Sequence, residues 1–227
     1  MVKLTWLSHA SWLIESGSQR LLLDPFFTDN PVATVQPDAF ENVTDVLVSH
    51  GHFDHVADAA AILKRSGARL ISNFEIVQWF AEKHQLTNAL AMNLGGAAEL
   101  AEGEIKMVPA LHSSGLPDGS YGGTAAGFVL KLENKRIYFA CDTAYFGDMR
   151  FYAGGVDVAV LPIGDLFTMG PADSVEAIKL IGPKIALPTH YGTWPPIEQD
   201  AEAWATMVRG ETDTKAIVLE VGGSYSL

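Results

Sequence analysis

"VLVSHGHFDHVADAAAIL", residues 46–63, is an apolar run that breaks into three histidines and an aspartate within six positions, then passes into small residues with helical spacing. Side chains that need water or a partner rarely crowd at the end of a buried strand. In an extended segment alternate side chains share a face, so His50 and His52 can close on one cation. Asp54 and His55, at the turn into the helix, can face a second. A divalent cation removes the cost of the crowding. Imidazole with carboxylate, and no thiolate, suits zinc, manganese or iron.

Other apolar runs end in the same residue types. "VTDVLVSH" stops at His50, "IKMVPALH" at His112, "RIYFACD" at Asp142 and "KIALPTH" at His190. The C-terminal ends of strands point out of the core, and sites in layered α/β proteins gather there. Four such endings describe one rim carrying imidazoles and carboxylates.

The pattern elsewhere is α/β in the α+β sense: paired strands, then alternating strands and helices, then paired strands again. Strands are expected over 2–7, 11–15, 20–24, 43–49, 68–72, 104–112, 125–132, 136–142, 156–164, 184–190 and 215–221. Helices are expected over 56–67, 74–84, 171–182 and 200–210, the first stopped by Gly67. Residues 25–40 read as a loop punctuated by Pro and Asp, and the glycine-dense 112–123 as a mobile loop. No linker or repeat divides the chain, so one domain is expected over 1–227.

Composition narrows the function. Fifteen basic against 27 acidic residues give a net charge of −12, a field that repels nucleic acid. The lone Cys141 excludes an intrachain disulfide. The N-terminal stretch lacks a signal-peptide core and no apolar run is long enough to span a bilayer, so a cytoplasmic protein without a membrane partner is expected. A homo-oligomer is compatible with the sequence but not specified by it.

"HGHFDH" resembles the His-x-His-x-Asp-His signature of the metallo-β-lactamase-fold hydrolases, and "ALHSSG", "ACDT" and "LPTHYGTWPP" are similar to the later ligand segments of that superfamily, in order. "WLSHASWLIE", "LLLDPFF", "PIGDLFTMGP" and "LPTHYGTWP" resemble one subgroup, the metal-dependent hydrolases near the ascorbate-6-phosphate lactonase branch. The resemblance covers nearly the whole chain. It implies a four-layer αββα sandwich with a dinuclear site where the two sheets meet. It also implies that His50, His52 and His112 hold one metal, Asp54, His55 and His190 the other, and that Asp142 bridges them. The cofactors implied are two divalent ions, zinc first, with manganese, iron or nickel as alternatives. The chain departs from the subgroup at Phe53, where relatives often carry a small residue, and at Asp165, where glycine is common.

The activity implied is hydrolysis of a small ester, lactone or phosphoester by a hydroxide held between two metals, with Asp54 orienting the hydroxide and returning a proton. A phosphodiesterase or nuclease of the same fold predicts basic side chains around the site, which the charge argues against. A di-iron oxidoreductase usually attaches a flavin-binding domain, for which the chain has no room, and a non-catalytic relative tends to lose ligands that are all present here. His9 and Asp24 are candidates to line the pocket or orient a ligand. Tyr191 and Trp194 are candidate substrate walls, with plain packing as the alternative. His84 and Cys141 are assigned no chemistry.

Overall fold

The computed structural model describes all 227 residues. Its first sheet is built from β1 (Val2–Ser8), β2 (Ser11–Ser16), β3 (Gln19–Leu23), β4 (Asp45–Leu47), β5 (Arg69–Asn73) and β6 (Ala89–Met92). The second takes β7 (Ala97–Leu100), β8 (Gly103–Pro109), β9 (Ala126–Leu132), β10 (Lys135–Phe139), β11 (Val158–Pro162), β12 (Ile185–Thr189) and β13 (Lys215–Ala216). The last strand, β14 (Ser224–Ser226), returns to the first sheet beside β1. The orders are β14-β1-β2-β3-β4-β5-β6 and β13-β12-β11-β10-β9-β8-β7. In both sheets the pairing changes from antiparallel to parallel midway, at β3–β4 and at β10–β11.

Strand alternation sorts the core into layers. Leu21, Leu23 and Leu47 meet Phe128, Leu130, Ile137 and Phe139 between the sheets. On the outer face of the first sheet, Leu22, Val46 and Leu70 pack under α2 (Ala59–Ser66) and α3 (Phe74–His84). The outer face of the second sheet offers Tyr138, Ala159 and Leu161 to α4 (Met149–Ala153), α5 (Pro171–Ile181) and α6 (Ala201–Glu211). The result is the expected αββα sandwich. No helix is long and apolar enough to cross a membrane.

Several expectations are corrected. The helix expected over 56–67 begins only at Ala59, after the single turn α1 (Phe53–Val56). Asp58 separates the two because its carboxylate accepts hydrogen bonds from Phe27 N, Thr28 N and Thr28 Oγ1, tying it to the 25–30 loop. Strand 215–221 pairs only over Lys215–Ala216. Beyond it Ile217, Leu219 and Val221 pack on the inter-sheet core while the chain crosses between the sheets, so no single ladder accompanies it. β6, β7 and β14 were not foreseen. The loop 112–123 is pinned: Gly122 N donates to Ser114 O, Leu116 N to Ser120 O, and Trp79 Nε1 to Asp118 Oδ2.

Candidate metal centre

All seven expected ligands stand on one edge of the sandwich. His50, His52, Asp54 and His55 follow β4 in the first sheet; His112, Asp142 and His190 follow β8, β10 and β12 in the second. Neither sheet holds the cluster alone. Its focus is Asp142 Oδ2, with Nε2 of His190 at 3.0 Å, of His55 at 3.4 Å, of His112 at 3.7 Å and of His50 at 3.9 Å. His50, His55, His190 and Asp142 are buried, while His52 and His112 are partly open towards the cleft.

These buried polar atoms lack ordinary partners. His55 Nε2, both ring nitrogens of His190 and Asp142 Oδ1 make no hydrogen bond. An unsatisfied buried polar atom costs on the order of 1–3 kcal/mol, so several in one place ask for an occupant. His50 Nε2 and His52 Nδ1 lie 3.0 Å apart, aimed at each other. Three groups have donors close enough for a shared cation: His50 with His52 and His112; His9 with Asp54, His55 and His190; Asp24 with His50 and His55. The cluster is therefore capable of binding metal.

Surrounding hydrogen bonds decide which nitrogens are free. Asp24 Oδ2 accepts from His55 Nδ1 at 2.8 Å and from Ser49 Oγ at 2.5 Å, and Ser49 Oγ lies 3.0 Å from His50 Nδ1. With protons on both Nδ1 atoms, the Nε2 lone pairs of His50 and His55 face Asp142. Asp24 is thus occupied in orienting two histidines, which explains its closeness to them without making it a ligand. His52 Nε2 is 3.1 Å from Ser113 Oγ, which leaves His52 Nδ1 for the cluster.

His9 does the same for a carboxylate. Its Nε2 is 3.0 Å from Asp54 Oδ2 and its Nδ1 2.8 Å from Thr193 Oγ1. A carboxylate accepts, so the proton belongs on Nε2, and the Thr193 hydroxyl donates to Nδ1. The His9 carbonyl accepts from Trp6 Nε1, Thr189 Oγ1 and His190 N. That ties the β1–β2 turn to the end of β12, and both His9 and His190 hold positive φ, 51° and 55°.

The charges interlock. Burial works against a charged His190, yet Asp142 and Asp54 outweigh it and push its pKa up to about 9. His55 is likewise raised against the pull of burial by Asp142, Asp54 and Asp24. Burial would raise the Asp142 carboxyl, but His190 and His55 hold it well below its usual range, and His55, His190 and His9 do so for Asp54. His50 is driven low by burial and the neighbouring His55, which outweigh the opposing pull of Asp142. His9 falls to about 4 through burial and the His190 charge.

Other candidates separate. Trp194 lines the cleft, 5.9 Å from Phe53 between ring centroids. Tyr191 does not; it stacks on Trp6 at 5.1 Å, and the packing alternative holds. Phe53 is 58% exposed at the mouth. His84 packs on Trp79 and Phe80, away from the cluster, and burial raises the pKa of Cys141, an inert thiol. Leu166 and Phe167 also line the cleft and were not singled out in the sequence. Two adjacent apolar residues between "PIGD" and the helix at Pro171 were the signal available.

Comparison with known proteins gives the family and the fold. Residues 19–191 match the family described as "Beta-lactamase superfamily domain". A metal-dependent hydrolase of Pyrococcus furiosus is 43% identical over 231 residues, covering 100% of both chains. The solved structure of a metallo hydrolase from Ignicoccus hospitalis superposes with a TM-score of 0.88 at 32% identity, covering 100% of this chain and 99% of that one. The metallo-beta-lactamase fold protein YhfI from Bacillus subtilis shares the fold at a TM-score of 0.77, with 14% identity and full coverage of both chains.

Two outcomes follow from the geometry. A cation must displace the proton from His190, held up to its pKa of about 9, and that from His55, which is raised likewise. Zinc affinity should therefore rise with pH from 6 to 9, by about tenfold per unit for each proton displaced, and level off above. Competition with a chromophoric chelator reads the slope, and a flat profile would contradict the charge assignment. Asp24→Asn keeps the shape but lets an NH2 face His55, so affinity should fall about 10- to 100-fold in the same assay.

Proposed function

Because the chain belongs to the beta-lactamase superfamily, we propose that this metal-dependent hydrolase works with two divalent cations on a small ester, lactone or phosphoester. His50, His52 and His112 would hold one cation, and Asp54, His55 and His190 the other, with Asp142 shared. The observation that carries the reading is the convergence on Asp142 Oδ2 of imidazoles from both donor groups. Seven donors exceed what one tetrahedral or octahedral ion takes. An all-nitrogen-and-oxygen set suits zinc, and manganese, iron or nickel are accepted by the same donors.

When bound, such ions acidify a water and polarise a carbonyl or phosphoryl oxygen. The chain's own residues do the rest. Asp54 lines the cleft and stays ionised, with His9 steadying Oδ2, so it can take a proton from the attacking water and return it to the leaving oxygen. In the net reaction the water OH joins the acyl carbon or phosphorus, the bond to the leaving oxygen breaks, and that oxygen gains the remaining proton. Asp24, Ser49 and Thr193 hold imidazoles in the needed tautomers. A cleft of about 700 Å³ suits a small molecule.

Elemental analysis of protein purified without chelator should approach two metals per chain. Asp142→Asn removes the shared charge and should weaken metal retention at least about a hundredfold, with loss of turnover. His84→Ala should change neither. A ceiling of one metal in the presence of excess zinc or manganese would sink the two-cation reading.

A further inference from the structure

The cleft over the cluster has no cationic side chain beyond the histidines of the cluster itself. None of its lining residues is Lys or Arg, and the adjoining cavity of about 520 Å³, lined by His112, Ser113 and Tyr121 among others, has none either. Resting on the hydrolase reading above, we infer that the substrate is a neutral carboxylic ester or lactone carrying an apolar arm, in preference to a phosphoester.

The charge argument comes first. A phosphoester is anionic at neutral pH, and proteins commonly recognise its free oxygens with Arg or Lys. Here the carboxylates of Asp54 and Asp142 face the same cleft, in a chain of net charge −12. Whatever positive charge bound cations bring is shared with these carboxylates. An uncharged ester presents one carbonyl oxygen to the ions and needs no further counter-charge.

The wall then describes the arm. Phe53, Leu166 and Phe167 are 58%, 68% and 54% exposed, and with Trp194 they give the cleft its large apolar lining. Phe53 sits in the chain between His52 and Asp54, so this wall is continuous with the metal cluster. It is also braced. Phe26, fully buried, packs on Phe53 at 5.9 Å and on Trp194 at 5.7 Å between centroids.

Leu166 and Phe167 occupy the tip of a tight turn in which Asp165 Oδ1 accepts from Leu166 N and Asp165 O from Thr168 N. Asp165 and Leu166 adopt φ of 59° and 44°, a region costing roughly 1–2 kcal/mol for a residue with a Cβ. The strained turn holds two large apolar side chains in water, which points to a ligand that covers them. The reaction adds water OH to the acyl carbon, breaks the acyl C–O bond, and leaves an acid and an alcohol.

Binding of acetohydroxamate through octanohydroxamate to zinc-loaded protein, by calorimetry, tests the arm without turnover. Affinity should rise about two- to fourfold per methylene. Phe167→Ser and Leu166→Ser should flatten that slope, whereas Phe151→Ser, an exposed phenylalanine on α4, should keep it. In parallel, nitrophenyl acetate, butyrate and octanoate are compared with nitrophenyl phosphate and bis(nitrophenyl) phosphate. The expected order is octanoate over butyrate over acetate, with both phosphoesters at least about tenfold slower than acetate. A flat hydroxamate slope, or a phosphoester as the fastest substrate, overturns the inference and leaves the hydrolase standing. No turnover of any ester, with the slope intact, overturns the hydrolase reading and supports the apolar arm.

Discussion

Asp142 Oδ2, buried within 4 Å of four imidazole nitrogens, is the constraint on which the rest of the molecule depends. Several polar atoms there find no partner in the protein, so they ask for an occupant. The sandwich is arranged around that demand. β4, β8, β10 and β12 end at one edge, and the backbone turns sharply beside the cluster: Cys141, next to Asp142, holds φ of 55°, as does His190 itself. A non-glycine residue in that region costs stability, and two beside one carboxylate mark where packing gives way to chemistry.

The cluster joins the sheets as well as capping them. Its donors come from both, and a second, purely hydrogen-bonded junction runs beside it. The His9 carbonyl gathers Trp6, Thr189 and the His190 amide, while the His9 ring spans from Thr193 to Asp54. The turn between β1 and β2 therefore sets both the height of His190 and the position of the Asp54 carboxylate. Asp24 plays the matching part for His55 and, through Ser49, for His50. His9, Asp24 and Ser49 are all buried and use their polar side-chain atoms on ligands or their supports.

This explains what the sequence could reveal. The ligands were legible because cation chemistry admits few residue types, and because an apolar strand ending in His or Asp is conspicuous. The sheets were legible as short apolar runs such as Leu21–Leu22–Leu23, whose members face inward, outward and inward. His9 and Asp24 were legible only as candidates, since their roles depend on Thr193 and on His55, far away in the chain. The short β6 and β7, "ALAM" and "AAEL", lack β-branched residues and draw their order from neighbouring strands. Segment 215–221 carries a strand's alternation, yet it pairs only over Lys215–Ala216 and then spends its apolar residues on the core between the sheets.

The substrate wall was the hardest part to read, for a physical reason. A metal ligand is specified by the ion, whereas Leu166 and Phe167 are specified only by what they leave uncovered. Exposure is a property of the folded surface, and a Leu-Phe pair reads as core until a turn holds it outside. Asp165 supplies that turn: its positive φ is the geometry for which glycine is favoured, and its carboxylate takes up the Leu166 amide. An aspartate in a glycine position thus leaves the metal cluster untouched and fixes the apolar lip above it. Cleft chemistry and cleft selectivity are set by separate parts of the chain, so the reaction can be read from the rim of histidines while the choice of substrate lies with the loops that stand over it.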